Sequence, residues 1–174
     1  MDEKKRYRFE VKWGEFRDSD DADGQITQTI DKKPTKEEII DILPHFIGKL
    51  QQQPSKFSAI KINGKRAYKL ARQNAKFTMP IREISIYLIK FVSCDADFAE
   101  FEVECSKGTY IRSLARAMAE KLNAAGYVSK LCRMKVGDFS HENSISLDLL
   151  KQGITYLGDD FLDRIDRSIS IKEI

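Results

Sequence analysis

Between Lys5 and Trp13 the chain alternates without a break. Tyr7, Phe9, Val11 and Trp13 fall on one side, and Arg6, Arg8, Glu10 and Lys12 on the other. A period of two puts successive side chains on opposite faces, so the segment reads as a strand with one buried face. It begins within about seven residues of the first methionine, where chains usually fray. The pattern returns at Ala99, Phe101, Val103 and Cys105, set against Glu100, Glu102 and Glu104. Ile84–Val92 is rich in β-branched and aromatic residues and reads as a strand, with a hairpin around Cys94–Asp97. Tyr127–Val136 reads as a further strand, and Ser58–Ile62 as a short one ending at the turn signal Asn63-Gly64.

Helical signals are fewer. Thr35-Lys-Glu-Glu38 is a capping box, with Ile39, Ile40, Leu43, Phe46 and Ile47 following at helical spacing. Pro44 ends or kinks that helix near Leu43. Lys65–Asn74 and Ser146–Gln152 read as short helices. The strongest segment is Thr109–Leu122, where Ile111, Leu114, Ala115, Met118 and Leu122 form one apolar stripe. Arg112 and Arg116 lie four apart, off that stripe. Strands and helices mix without regular βαβ alternation. The expected class is α+β, with a mixed, largely antiparallel sheet and flanking helices.

At 174 residues, 41% of them apolar, the chain is long enough for a sizeable core. Its three cysteines, Cys94, Cys105 and Cys132, are odd in number and widely spaced. That argues against a disulfide scaffold and against a cysteine-based zinc site, and makes a reducing cytoplasm the expected compartment. His45 and His141 alone leave little room for a histidine metal site. No apolar run approaches the roughly 18 residues that span a bilayer, so no membrane partner is expected. Arg17–Gly24 reads as a turn rich in aspartate. It resembles a calcium loop without the distal glutamate, and a solvated acidic loop is the plainer reading.

The formal net charge is only +3, but its distribution is uneven. Lys56, Lys61, Lys65, Arg66, Lys69, Arg72, Lys76 and Arg82 occupy Gln53–Arg82 with no acidic residue among them. Between Lys107 and Lys135, Glu120 is the one acid. Such segregation builds a local positive field suited to a polyanion. Solvation of helix faces is the bland alternative. Aromatics inside both blocks (Phe57, Tyr68, Phe77; Tyr110, Tyr127) favour nucleic acid.

Cys105-Ser-Lys-Gly-Thr-Tyr-Ile-Arg112 joins a strand end, a glycine turn and a helix N-terminus, where backbone N–H groups can hold an anion. Ordinary capping plus a surface arginine would look the same. The string nevertheless resembles a signature of the TruB family of tRNA pseudouridine synthases. So do Phe57-Ser-Ala-Ile-Lys-Ile-Asn-Gly-Lys-Arg-Ala-Tyr-Lys-Leu-Ala-Arg72, Lys5-Arg-Tyr-Arg-Phe9 with the Asp18–Gly24 loop, and Leu131-Cys-Arg-Met134. The four occur in family order over about residues 4 to 150.

The resemblance implies an enzyme that isomerises one uridine in the TΨC arm of tRNA. Such an enzyme flips the base out, breaks its N-glycosidic bond, turns the base and rejoins it through carbon. No metal or organic cofactor is implied. By motif position, the catalytic set implied is Tyr7, which stacks on the flipped uracil and takes part in proton removal, Tyr110, a pocket wall, and Arg112, which orients the nucleophilic aspartate; Leu131 is the apolar pocket residue. Lys61, Arg72 and Lys107 would contact phosphate. For Tyr7, a plain core tyrosine remains the alternative from the residues alone.

One part of the family pattern is missing. The nucleophile belongs to a Gly-x-Leu-Asp-Pro-x-Ala motif upstream of the Lys-Arg-Tyr strand. Here Pro34, Pro44, Pro54 and Pro80 follow Lys33, Leu43, Gln53 and Met79, so no Asp-Pro occurs. The expectation is a partial catalytic domain over 1–152, begun at an internal methionine, with a short acidic tail over 153–174. It would be a monomer, sticky through an exposed edge, and inactive alone, with Arg112 lacking its native carboxylate partner, the missing nucleophile. A non-catalytic RNA-binding remnant using the same basic face is the alternative function.

Overall fold

The computed structural model describes residues 4–148 and 151. β1 (Lys5–Trp13) is the expected strand: Tyr7, Phe9, Val11 and Trp13 are buried and Arg6, Arg8 and Lys12 exposed. On one flank it pairs antiparallel with β8 (Phe98–Cys105), which buries Ala99, Phe101, Val103 and Cys105. On the other it pairs antiparallel with β9 (Gly126–Val136).

The intervening elements are β2 (Glu15–Arg17), β3 (Ile26–Thr29), α1 (Lys36–Ile42), β4 (Gly48–Gln52), β5 (Lys61–Ile62), β6 (Lys65–Arg66), α2 (Ala67–Arg72) and β7 (Arg82–Cys94). α3 (Ile111–Lys121) lies between β8 and β9. The chain divides into two units, Met1–Asp138 and Phe139–Ile174. In the first, the main sheet runs β9-β1-β8-β7-β4, with every pair antiparallel. In the second, β10 (Phe139–Ser140) and a 3-10 turn (His141–Asn143) are described. The class is α+β, as expected.

The core forms where three aromatic strand residues meet. Phe9 faces Phe101 across β1 and β8, the rings stacked at 5.3 Å, and Phe91 of β7 meets Phe101 edge-on at 6.4 Å. The α3 stripe of Ile111, Leu114, Ala115 and Met118 is buried in the same core, as are Ile39 and Ile42 of α1. The capping box forms: the Glu38 backbone N–H donates to Thr35 Oγ1 at 3.3 Å, and the Thr35 N–H donates to Glu38 Oε2 at 2.9 Å. Pro44 sits at the start of a 3-10 turn, Leu43–Phe46, which ends the helix as expected.

The segment from Ser58 is less regular than its pattern suggests. Only Lys61–Ile62 is strand, paired with Lys65–Arg66 around Gly64, and the following helix is the six residues of α2. Ile60, Ala67 and Met79 give it a small core of its own. The helix expected at Ser146–Gln152 lies partly outside the described residues, and the boundary expected at 152/153 wholly so.

Candidate nucleic-acid interface

The site is built where α3 begins. β8 ends at Cys105, Gly108 turns the chain with φ +81°, and Tyr110 precedes the helix in extended backbone. One backbone N–H at this terminus is already engaged within the protein. The Tyr110 N–H donates to Gln52 Oε1 at 2.8 Å, and Gln52 Nε2 donates to the Tyr110 carbonyl at 3.0 Å. Buried Gln52 of β4 therefore pins the helix start. Tyr110 packs against the small core of Ile60, Ala67 and Met79.

Arg112 and Arg116, one turn apart on α3, reach the loop after β2. Arg112 donates to Asp21 Oδ2. Arg116 Nη1 spans both Asp20 oxygens, at 3.1 and 2.8 Å. One expectation is thereby corrected: the aspartate loop is no freely solvated turn. Arg112 pairs with a loop carboxylate, Asp21, which is not the family nucleophile that its motif position implies as partner. Asp20 is 4% exposed and Ser19 is also buried. The reason is long-range: 91 residues separate Asp21 from Arg112, and no local pattern pairs them.

The loop holds its own shape tightly. Asp18 Oδ1 accepts the Gln25 N–H at 3.0 Å, Asp21 Oδ1 accepts Ser19 Oγ at 2.5 Å and the Asp23 N–H at 3.2 Å, and the Asp20 carbonyl accepts the Val128 N–H at 3.1 Å. A Cβ on Gly24 would stand 2.6 Å from Asp18 Oδ1 and 2.9 Å from the Ser19 backbone nitrogen, so only glycine closes it. Burial pushes the Asp20 carboxyl up to about 6, although Arg116 pulls it down.

A cleft of about 470 Å³ lies along this loop, lined by Asp18, Asp21 and Asp23 on the loop side and by Phe57, Tyr68, Arg72 and Arg112 among others. The Arg72 guanidinium sits 5.6 Å from the Tyr68 ring. Arg72 and Arg112, both named from sequence, thus share one cleft. Tyr7 and Leu131 belong to the sheet instead. They lie on one face of neighbouring strands, since Phe9 pairs with Leu131 and Tyr7 with Arg133. Tyr7 is buried, with Arg133 5.6 Å from its ring. Burial raises its phenol, and Arg133 draws it back in part. Leu131 is 46% exposed. The Arg112 cleft is lined by neither of them, nor by Tyr110. Lys61 is exposed on the β5–β6 hairpin and Lys107 in the turn before α3. All eight basic residues of the Gln53–Arg82 block are exposed. Sequence reasoning missed Asp20, Asp21, Gln52 and Arg116 as site residues. The i, i+4 arginines and the run of aspartates were the available signals.

The fold has counterparts among solved structures. A Cbf5–Nop10–Gar1 complex superposes with a TM-score of 0.64 at 20% identity, covering 91% of this chain and 38% of that one. An H/ACA RNP bound to a substrate RNA containing 2′-deoxyuridine gives 0.61 at 19%, covering 91% and 36%. Residues 1–111 match the family model described as TruB family pseudouridylate synthase (N terminal domain). The chain is 49% identical over 152 residues to tRNA pseudouridine synthase B of Brucella ovis, covering 87% of this chain and 47% of the relative. It is 47% identical over 148 residues to tRNA pseudouridine synthase B of Rhizobium johnstonii, covering 84% and 48%. The chain belongs to the TruB family of pseudouridylate synthases. It spans about half the length of the curated relatives it matches.

Proposed function

We propose that this chain forms a substrate-holding part of a tRNA pseudouridine synthase, receiving the TΨC arm across its basic segment. The observation that carries this is the Arg112 cleft, where Arg72, Tyr68 and Phe57 stand beside an arginine held by Asp21. Cations for phosphate and aromatic faces for bases are what a splayed RNA loop requires. Tyr7 and Leu131, on one face of β1 and β9, would contact the flipped uracil.

The reaction class breaks an N-glycosidic bond, turns the base and rejoins it through carbon. It needs a positioned nucleophile. Asp21 is not assigned that role, because it lies in the Asp18–Gly24 loop and not in the Leu-Asp-Pro context of the family nucleophile. No aspartate of this chain precedes a proline. The chain by itself therefore binds RNA without turnover.

The test uses the purified chain and a TΨC stem-loop transcript. Affinity should fall steeply with salt, by a slope of about −0.9 per neutralised phosphate for duplex. Tritium release from 5-tritiated uridine should stay at background. Absence of binding at low salt would overturn the RNA reading, and clear turnover would overturn the assignment of Asp21.

A further inference from the structure

Arg116 touches more separated parts of the chain than any role in solvating α3 would require. One arm, Nη1, holds both carboxylate oxygens of Asp20, 96 residues away. The other, Nη2, donates to the Gln53 carbonyl at 2.9 Å, 63 residues away. Gln53 is where the exposed basic segment begins. Asp20 is buried in the left-handed region, φ 62°, with its own carbonyl taken by β9 through the Val128 N–H. The next residue is Asp21, the partner of Arg112.

We infer that Arg116 is a positioning residue: it holds the aspartate loop so that Asp21 meets Arg112, and it ties the root of the basic segment to the same helix. This rests on the RNA-site reading above. The geometry requires a fork. A guanidinium holds two nitrogens in a fixed fork, Nη1 on Asp20 and Nη2 on Gln53, whereas a lysine presents one nitrogen whose donors are not fixed in that geometry. Glu120, 3.8 Å from Arg116 and on the wet side of α3, is a poor substitute anchor. The competing role is simpler: Arg116 as no more than the counter-ion of a buried carboxylate.

Three variants separate the two roles: Arg116→Gln, Arg116→Lys, and the double variant Arg116→Gln with Asp20→Asn. The readouts are the melting midpoint, amide exchange at Asp23 and Gln25, and affinity for the TΨC stem-loop. Arg116→Gln leaves a buried charge unpaired and should melt lowest. The double variant removes that charge and should regain most of the midpoint. If Arg116 positions the loop, the Asp23 and Gln25 amides should still exchange about tenfold faster in the double variant while β1 amides are unchanged. RNA affinity should remain reduced about three- to tenfold. Arg116→Lys should keep the midpoint and fall between wild type and the double variant in both other readouts. Recovery of exchange and affinity together with the midpoint in the double variant would show that Arg116 is a counter-ion only, and the inference would fall. Should the wild type bind no RNA, the RNA reading falls with it, and the exchange data still decide whether Arg116 holds the loop.

Discussion

Asp20 shows how burial and ion pairing compete at one carboxyl. Arg116 stands 2.8 Å away, yet the acid titrates at about 6 rather than at its ordinary 3.8. Loss of water outweighs the arginine, with Glu120 adding to the rise and Arg112 opposing it. The linkage sign follows. A carboxyl with a raised folded pKa binds its proton more tightly in the native state. Its stabilising contribution is complete below about 3.8 and is lost as pH rises through about 6. A rise of that size corresponds to about 3 kcal/mol. Asp20→Asn carries no such dependence. Urea unfolding at pH 4 and pH 7.5 should show the asparagine variant gaining on wild type by up to that amount. A difference between the two proteins that does not change with pH would refute the assignment.

Elements inherit their positions from residues of this kind. β1 and β8 bury one face and cross-link the other: Arg8 bridges Glu100 at 2.8 Å, and Lys4 meets Glu104 at 3.3 Å. The Lys4 pair is screened by water, but Arg8 grips Glu100 through two bonds at 2.8 and 2.9 Å, so Glu100→Gln should cost up to about 1 kcal/mol in chemical denaturation. The buried stripe of α3 is another matter. Leu114 and Met118 are fully enclosed, and Leu114→Ala should cost about 2–5 kcal/mol through reduced burial and a residual cavity. Thr35→Ala removes one half of the α1 capping box and should cost about 1 kcal/mol. A smaller loss for Leu114→Ala than for Thr35→Ala would mean that α3 is not anchored in the core as described. At the strand–helix junction Gly126 is dictated by close approach: a Cβ there would stand 2.9 Å from Val11 Cγ1 and Trp13 Cε3.

For the molecule as a whole, charge is segregated while net charge stays near neutral. Glu100 and Glu104 of β8 are matched by Lys4, Arg6 and Arg8, and Asp20 and Asp21 are matched by α3. The block from Lys56 to Arg82 contains no acid of its own and is exposed throughout its cations. This concentrates exposed cations in one acid-free segment, the distribution that a polyanion-binding role requires. Lys61→Ala with Arg72→Ala should weaken stem-loop binding and flatten the salt slope by about 0.9 for each phosphate no longer neutralised. Tyr110→Phe should change little, because the backbone of Tyr110 rather than its hydroxyl is what Gln52 holds. Equal slopes for wild type and the double alanine variant would show that these two cations touch no phosphate.

Local pattern was enough for β1, β7, β8 and β9, the α3 stripe, the capping box and the Pro44 stop, because period, cap and ring chemistry act within a few residues; β2, β3 and β4 carried no such pattern. The family motifs also singled out Arg72 and Arg112, which do share a cleft. The pairing of Arg112 with Asp21 and of Arg116 with Asp20 was not legible. Charges 91 and 96 residues apart meet only once the sheet fixes where α3 begins and β9 fixes where the loop lies. The reading of Asp18–Asp23 as solvated failed for the same reason. Composition states that a loop is acidic, but only tertiary packing decides which of its carboxylates is taken out of water and what faces it there.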